Sequence, residues 1–458
     1  MSVTIAQPVS ENESDSAKPG ASQPGAPKYG KVARLGAKGG LAIVDQALIS
    51  GSNFLISILL GRWLSQSEYG AFALAFSVFL LLSFLYHSLL LEPMAVFSGS
   101  AYRGSLRGYL KSLLWIHLAL TVAGCVFLGG AALWAWRAGA GAGVPGALAG
   151  VMIAAPCILL FWLVRRAFYM ELAPARATVG AFIYCVLVTG GLYVAYKKAL
   201  ISPFSAYLLM ALGAVGTSVF LLLQIRATLK PDRENPPTPG EAWRKHWEYG
   251  RWALAVAVVT WIPYYMYYPV VTTFSGIAQA GQLRALMNFS LPMEQAYTAL
   301  SLLFLPYAAR INREQGPSSA GTLVRKITLL FIGGAVAYWA VVLPLRGLIF
   351  RVLYGGKYIE VSHLLPFVAL GTTMWAAAFG PAIVLRAMEA PNTLFRARVV
   401  ASALSLLIGV PATKWFGLWG VVTSIIIANF AAFVISLYLL RQKSQQPLVA
   451  TPVLQGEG

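Results

Sequence analysis

Long apolar runs alternate along the chain with short polar connections, and a window of about 19 residues separates them cleanly. Six runs fall near Leu41 to Leu60, Gly70 to Leu91, Leu110 to Trp134, Ala147 to Val164, Ala177 to Ala195 and Phe204 to Leu223. A polar stretch from Gln224 to Gly250 follows. Six more lie near Trp252 to Phe274, Leu283 to Ala308, Ile327 to Leu343, Leu364 to Leu385, Val399 to Thr413 and Trp415 to Leu440. Most match the roughly 20 residues that a helix needs to cross a hydrocarbon core. The pattern predicts an all-α polytopic membrane protein with about twelve transmembrane helices. Its least marked breaks are at Gly143 to Pro145 and at Thr413 and Lys414.

Composition strengthens this reading. With 58% hydrophobic and 11% charged residues over 458 positions, the chain carries more apolar surface than one soluble core can bury. That excludes a soluble enzyme, a disordered protein and a secreted disulfide scaffold. Met1 to Gly40 is rich in Ser, Pro, Gly, Ala and Lys and lacks the apolar core of a secretory signal, so residues 1–40 are expected to be a disordered tail. Cys125, Cys157 and Cys185 stand singly inside apolar runs, without metal or disulfide spacing, and read as packing residues. No metal or cofactor is called for.

The net charge of +19 would suggest nucleic acid on a soluble protein. Here its distribution decides. Twelve spans place both termini on one face, and that face carries 26 of the 35 Lys and Arg. The other face holds nine: Arg62, Arg137, Lys197, Lys198, Arg284, Arg346, Arg351, Lys357 and Lys414. By the positive-inside rule the termini are cytoplasmic, and no nucleic-acid partner is needed to explain the charge. Attraction to anionic membrane lipids is secondary.

Internal echoes suggest duplication. An offset of 213 residues lays Gln66 on Gln279 and Pro93 on Pro306, at equivalent helix ends. A second echo joins Arg166, Ala167, Met170, Glu171, Ala173 and Pro174 to Arg386, Ala387, Met388, Glu389, Ala390 and Pro391. The expected organisation is a tail (1–40), a six-helix bundle (41–223), a cytoplasmic linker (224–250), a second six-helix bundle (251–441) and a tail (442–458). Parallel halves of this kind are the plan of many alternating-access transporters.

Polar residues inside the spans are the candidate site. In the first span Gln46, Ser50, Asn53 and Ser57 share one helical face, with Asp45 beside them. Asp45 is costly in lipid, so it either borders a cavity or pairs with Lys38 or a loop arginine near the interface. Glu294 falls near the middle of Leu283 to Ala308, with Ser290, Thr298 and Ser301 on its face and Pro292 and Pro306 interrupting the helix. It reads as a cavity group, or as a structural partner of a buried Arg. Trp261, Tyr264, Tyr265 and Tyr268 recur at i, i+3, i+4 and i+7 on the seventh span. They could stack on sugar rings, whereas Tyr267 and Tyr268 also suit an interfacial belt. His87 and His117 are lone histidines that suit helix contacts or a proton relay. Gly141, Gly143 and Gly146 match a dinucleotide pattern only by chance, since no strand precedes them. No ATP site is present.

The segment from Val44 to Arg103 then gains meaning. Its Asp45-Gln46-Ala47-Leu48, Gly61-Arg62-Trp63-Leu64, Glu68-Tyr69-Gly70-Ala71-Phe72-Ala73 and Leu91-Glu92-Pro93-Met94 resemble polysaccharide-biosynthesis membrane proteins. Those are similar to the Wzx-type oligosaccharide flippases of the multidrug/oligosaccharidyl-lipid/polysaccharide exporter (MOP) superfamily. The resemblance implies a MATE-like fold in a bacterial inner membrane and translocation of a polyprenyl-diphosphate-linked oligosaccharide by alternating access, with other polysaccharide-assembly proteins as partners. Such flippases often have a cationic cavity, while the clearest mid-membrane groups here, Asp45 and Glu294, are acidic. Either Arg62, Arg284 or Arg386 reaches inward, or the cargo is less anionic. Two other readings are a drug or organic-cation exporter of the same fold and a polytopic polymerase or ligase. The latter would need a long outer loop, and the longest here, Pro344 to His363, spans about 20 residues.

The charge count generates a direct test. A fluorescent protein fused after Gly458 should fluoresce inside cells, and alkaline phosphatase fused after Lys198 should be active. The reverse pattern would invert the topology.

Overall fold

The computed structural model describes residues 29–141, 143–171, 173–228, 231–315, 320–388 and 391–444, all helix, turn or connection, with no strand among them. The N-terminal half comprises α1 (Tyr29–Trp63), α2 (Gln66–Tyr86) running through a π-turn at His87–Leu91 into α3 (Glu92–Phe97), α4 (Leu106–Arg137), α5 (Val144–Met170), α6 (Pro174–Lys197) and α7 (Pro203–Thr228). The C-terminal half comprises α8 (Pro239–Tyr265), α9 (Tyr267–Ser275), α10 (Ile277–Met287), α11 (Leu291–Gln315), α12 (Ala320–Val342), α13 (Arg346–Tyr354), a 3-10 turn at Ile359–Leu364, α14 (Leu365–Ala377), α15 (Phe379–Ala387), α16 (Pro391–Leu404), a π-turn at Ser405–Gly409, α17 (Val410–Phe416) and α18 (Leu418–Ser444).

Ten helical segments among the described residues are long and apolar enough to cross a membrane. The pair α8 and α9, bent by 41°, makes an eleventh crossing. The pair α10 and α11 occupies the place of the expected eighth span, and Arg284, Asn288, Glu294 and Gln295 make it more polar than the others. Within the first half α5 packs along α4 and α7, and α1 along α6; within the second, α18 packs along α14 and α16. Most spans overlap the expected runs closely. Some hydroxyls buried among them are satisfied within their own helix, as when Thr217 donates to Gly213 O and Thr372 to Val368 O.

Three boundaries differ from the sequence reading. Helix α1 starts at Tyr29, inside the expected tail of residues 1–40, because the Ala, Arg, Lys and Leu before Leu41 are good helix formers that extend the span. Residues 1–28 and 445–458 lie outside the described residues. The expected linker 224–250 is mostly helical as well: α7 runs to Thr228 and α8 starts at Pro239, where Thr238 and Glu241 form a capping box. What lies between is docked. The Asp232 carboxylate accepts from the backbone N–H of Arg107 and Gly108, capping α4 (2.9 and 2.8 Å), and Ser112 donates to Pro237 O at 2.6 Å. Finally, the loop Pro344 to His363 folds into α13 and the 3-10 turn.

Helix α5 shows how a proline is accommodated in a span. Pro156 has no N–H to give to Met152 O, four residues earlier. Cys125 of α4 donates its thiol there instead, at 3.3 Å. The three cysteines are free, as packing residues should be.

The halves meet most closely where α2 crosses α10. A Cβ on Gly70 would overlap Ile277 O, and one on Gly281 would overlap Gln66 O, so backbone touches backbone. Around this crossing, on the face opposite the chain termini, lies a polar latch. Lys357 Nζ donates to Arg62 O and Leu64 O at the end of α1 (2.7 and 2.8 Å), and Arg62 donates to Val352 O at 2.5 Å. Gln66 donates to Lys357 O and Glu360, and Gln282 to Glu360 and Gln66. These bonds tie the two halves together on that face.

Because the Gly70 Cβ would meet rigid backbone, Gly70→Ala should lower stability by about 1–3 kcal/mol, the range for overpacking. A thermal melt of the purified protein checks this. An unchanged melting temperature would mean that α2 and α10 separate easily.

Candidate functional site

The polar stripe of α1 faces the other half. Gln46 donates to Ser50 at 3.3 Å, and Ser50 donates to Gln295 of α11 at 3.0 Å. Asn53 is half-buried one turn on. One further turn on, Ser57 is buried and meets four groups. Tyr69 OH lies at 2.8 Å, Asn288 Nδ2 donates at 3.0 Å, and Arg284 Nε donates at 3.1 Å. The Ser57 hydroxyl also reaches Asn288 Oδ1 at 3.2 Å. Asn288 Nδ2 is within 3.0 Å of Tyr69 OH and of Tyr354 OH. Ser57 stands six residues before the end of α1, so this knot lies roughly 9 Å below the helix end at 1.5 Å per residue.

Arg284 is the centre of the knot. It is 7% exposed, and its guanidinium lies over the Phe76 ring at 4.8 Å. No carboxylate comes within the 4.0 Å ion-pair distance among the described residues, whose two ion pairs involve Arg165 and Arg310. The sequence reading counted Arg284 among the nine cations of the opposite-face loops. Helix α10 starts at Ile277, earlier than the apolar run suggests, and carries Arg284 inward as its eighth residue. Of the three arginines that could reach inward, Arg62 instead belongs to the latch. Arg386 lies beside Arg398 toward the terminal face, and Arg398 donates to Thr260 at 2.9 Å.

Glu294 sits in the first turn of α11, just below the break at Asn288 to Ser290. Ser290 Oγ donates to its carboxylate. The helix N-terminus favours the negative charge there. The span is interrupted before Pro292, which occupies the second helical position of α11 where no N–H is needed, while Pro306 lies inside the helix. Tyr264, Tyr265 and Arg284 are within electrostatic range of Glu294. Thr298 is exposed and donates back to Glu294 O at 2.8 Å. Ser301 turns away and donates to Thr298 O.

Other residues singled out by sequence have structural roles. Asp45 is buried (2% exposed), points away from the stripe, and pairs with Arg165 of α5 at 3.0 Å while accepting from Tyr169 at 2.5 Å. It does not border the seam. The partner is an arginine at the end of α5, as the interfacial reading expected. Trp261 is half-buried and donates to Ser77 O at 2.9 Å, strapping α8 to α2 across the seam. Tyr264 reaches Asn429 at 3.4 Å, and Tyr265 packs near Phe84. Tyr267 and Tyr268 are buried (0 and 2% exposed), so they belong to the core and form no interfacial belt. The bend between α8 and α9 turns them inward. His117 bonds Tyr86 OH at 2.9 Å inside the first half, and His87 opens the π-turn of the second span.

Sequence reasoning thus found Gln46, Ser50, Asn53, Ser57 and Glu294 on the seam, and left Gln295, Asn288, Tyr69 and Tyr354 unassigned. The α1 stripe pointed to them, because Ser57 continues it directly into the Arg284 knot.

No protein-family model and no curated protein sequence matches this chain. Solved structures do. A multidrug resistance MATE family transporter of the MOP superfamily in an inward-facing conformation matches with a TM-score of 0.67 and 15% identity, over 88% of this chain and 98% of its own. The lipid II flippase MurJ in an inward closed conformation gives 0.67 and 16%, over 88% of each chain. An outward-facing conformation of a multidrug resistance MATE family transporter gives 0.56 and 14%, over 88% and 94%. The chain has the fold of MOP-superfamily transporters.

The Asp45 pair separates stability from transport. Asp45→Asn should cost about 1–3 kcal/mol in a thermal melt, less than a fully buried pair because Arg165 keeps some solvent contact. Transport per folded molecule should be unchanged. A large transport defect in a normally stable variant would return Asp45 to the pathway.

Proposed function

We propose that this protein is an alternating-access transporter of the bacterial inner membrane that moves a polyprenyl-diphosphate-linked oligosaccharide from the cytoplasmic to the outer leaflet. The observation that carries the proposal is Arg284. A cation fixed at the seam between two halves, with hydroxyl and amide neighbours and no ion-paired carboxylate, offers a diphosphate its charge without first breaking a salt bridge. Arg386 and Arg398 would attract the same headgroup from the terminal face, which this reading makes cytoplasmic. The latch ties the halves together on the far side, and on this reading cargo made in the cytoplasmic leaflet would enter from the terminal side. Gln46, Ser50, Asn53, Gln295 and Thr298 are the polar groups placed to bond sugar hydroxyls along the seam.

Glu294 keeps a second reading in view. A carboxylate among Tyr264 and Tyr265 suits an organic cation, the cargo class of a drug exporter, or a coupling proton or sodium ion. Its proximity to Arg284 favours coupling, because cargo arriving at the arginine changes the field at the carboxylate.

Deletion of the gene should trap the lipid-linked glycan facing the cytoplasm, and the wild-type gene should release it. Arg284→Gln should fail to complement while folding normally, since an uncharged side chain costs a buried charge contact worth about 2–5 kcal/mol, or 30-fold or more. In proteoliposomes, Glu294→Gln should retain binding and lose stimulation by an imposed gradient. Normal glycan display in the deletion strain together with new sensitivity to cationic dyes would transfer the protein to the exporter class.

A further inference from the structure

On the face opposite the termini, a cleft of about 540 Å³ lies outside the seam, where three reversals of the C-terminal half converge. They are the α9–α10 junction, the 3-10 turn before α14, and the α17–α18 junction. Gly276 and Gly417 make the first and last reversals at positive φ (92° and 54°), and a Cβ at Gly417 would come within 2.9 Å of Gln279 Oε1. These glycines let polar and aromatic side chains close around one space.

The lining is of two kinds. Trp415 and Trp419 present indoles that are 72 and 42% exposed. Trp419 is held edge-on by Phe367, at 4.7 Å between ring centroids, and lies 5.7 Å from His363. Between the indoles stand Gln279, Gln282, His363 and Lys414. The Gln279 amide makes no side-chain hydrogen bond to a described residue, and its Oε1 is buried without a partner. His363 Nδ1 lies 2.7 Å from Glu360 O, a carbonyl that can only accept, so Nδ1 carries a hydrogen and Nε2 is left for another partner. Lys414 has no carboxylate within ion-pair distance among the described residues.

An interfacial belt would explain exposed indoles but not a Gln279 carbonyl oxygen buried without a partner beside them. Flat aromatic faces beside planar amides and a cation match a pyranose ring, whose C–H face stacks while its hydroxyls give and accept hydrogen bonds. We propose that this cleft is a glycan-binding subsite that holds one or two sugar rings of the cargo on the outer side, with Lys414 favouring an acidic sugar. The proposal rests on the flippase reading and extends it to release. Gln282 lines the cleft and also donates to Glu360 and Gln66 in the latch. A sugar hydroxyl that takes this amide weakens the latch, so occupancy and opening are coupled.

The test uses full-length protein in nanodiscs of phosphatidylethanolamine and phosphatidylglycerol, with three soluble probes: maltose, chitobiose and digalacturonic acid. Tryptophan emission and its protection from acrylamide are read against probe concentration. At least one probe should protect with a dissociation constant of about 1–10 mM, as expected of a site enclosing part of a small ligand. Digalacturonic acid should bind most tightly. Trp419→Ala and Gln279→Ala should each weaken binding several-fold, Trp419→Phe should weaken it less, and Lys414→Met should remove the preference for the acidic probe. Trp134→Ala, which removes an indole 73% exposed at the same face of the other half, should change nothing. Lack of protection by all three probes, or equal protection in the Trp419→Ala and Gln279→Ala variants, would overturn the subsite. Sugar binding by a protein that does not flip cargo would leave the cleft and remove the flippase; normal flipping without sugar binding would do the opposite.

Discussion

The contact on which the two halves depend is the crossing of α2 and α10, where Gly70 and Gly281 bring one backbone against the other. In lipid there is little hydrophobic gain from joining helices, so close approach and hydrogen bonds must hold them. The glycines supply the approach, and the Arg62, Gln66, Gln282, Lys357 and Glu360 network supplies the bonds. The two are interdependent. Gln66 and Gln282 meet because the crossing sets α2 and α10 side by side. The crossing also fixes the depth of Arg284, which lies on α10 three residues after Gly281.

That depth explains the unusual character of the eighth span. Its arginine, asparagine and glutamate make it too polar to stand alone in lipid, and it is tolerated because α1, α2 and α9 pack on α10 and α1, α12 and α15 on α11. Breaking the helix at Asn288 to Ser290 turns the interruption to use. The end of α10 presents Asn288 to Ser57, while the start of α11 stabilises Glu294. A basic group and an acidic group thus occupy one broken helix without being bonded to each other.

Much of the fold was legible because lipid imposes length and apolarity on every crossing. The basic residues of the loops then argued for an even count. The stripe Gln46, Ser50, Asn53 and Ser57 was legible for the same reason: four polar residues on one face of a span need a polar neighbour. The identity of that neighbour was not. Ser57 meets Arg284, 227 residues away, and Asp45 meets Arg165, 120 residues away, and no local pattern encodes either pairing. The apolar run, starting at Leu283, put Arg284 at the very end of its span on the opposite face, because Gln279 and Gln282 before it lower the hydropathy although they belong to the same helix. The aromatic run of α8 and α9 was legible in part, since Tyr264, Tyr265 and Tyr268 all come within electrostatic range of Glu294. Its period was helical, and the 41° bend that divides it was not readable from that period.

Helix α8 belongs to both halves at once. Its first turns rest on the N-terminal half, where His246 is fully buried and bonded to Tyr109 and to Leu89 O, and where Gly250 lies against Ser88 O. Farther along, Val259 and Thr260 are bonded to Ser402 and Arg398 of α16. During synthesis, therefore, the first bundle is not finished when its sixth span leaves the ribosome. It waits for the opening helix of the next one, and a gene divided between α7 and α8 would release an N-terminal product with an uncovered, aromatic-lined floor.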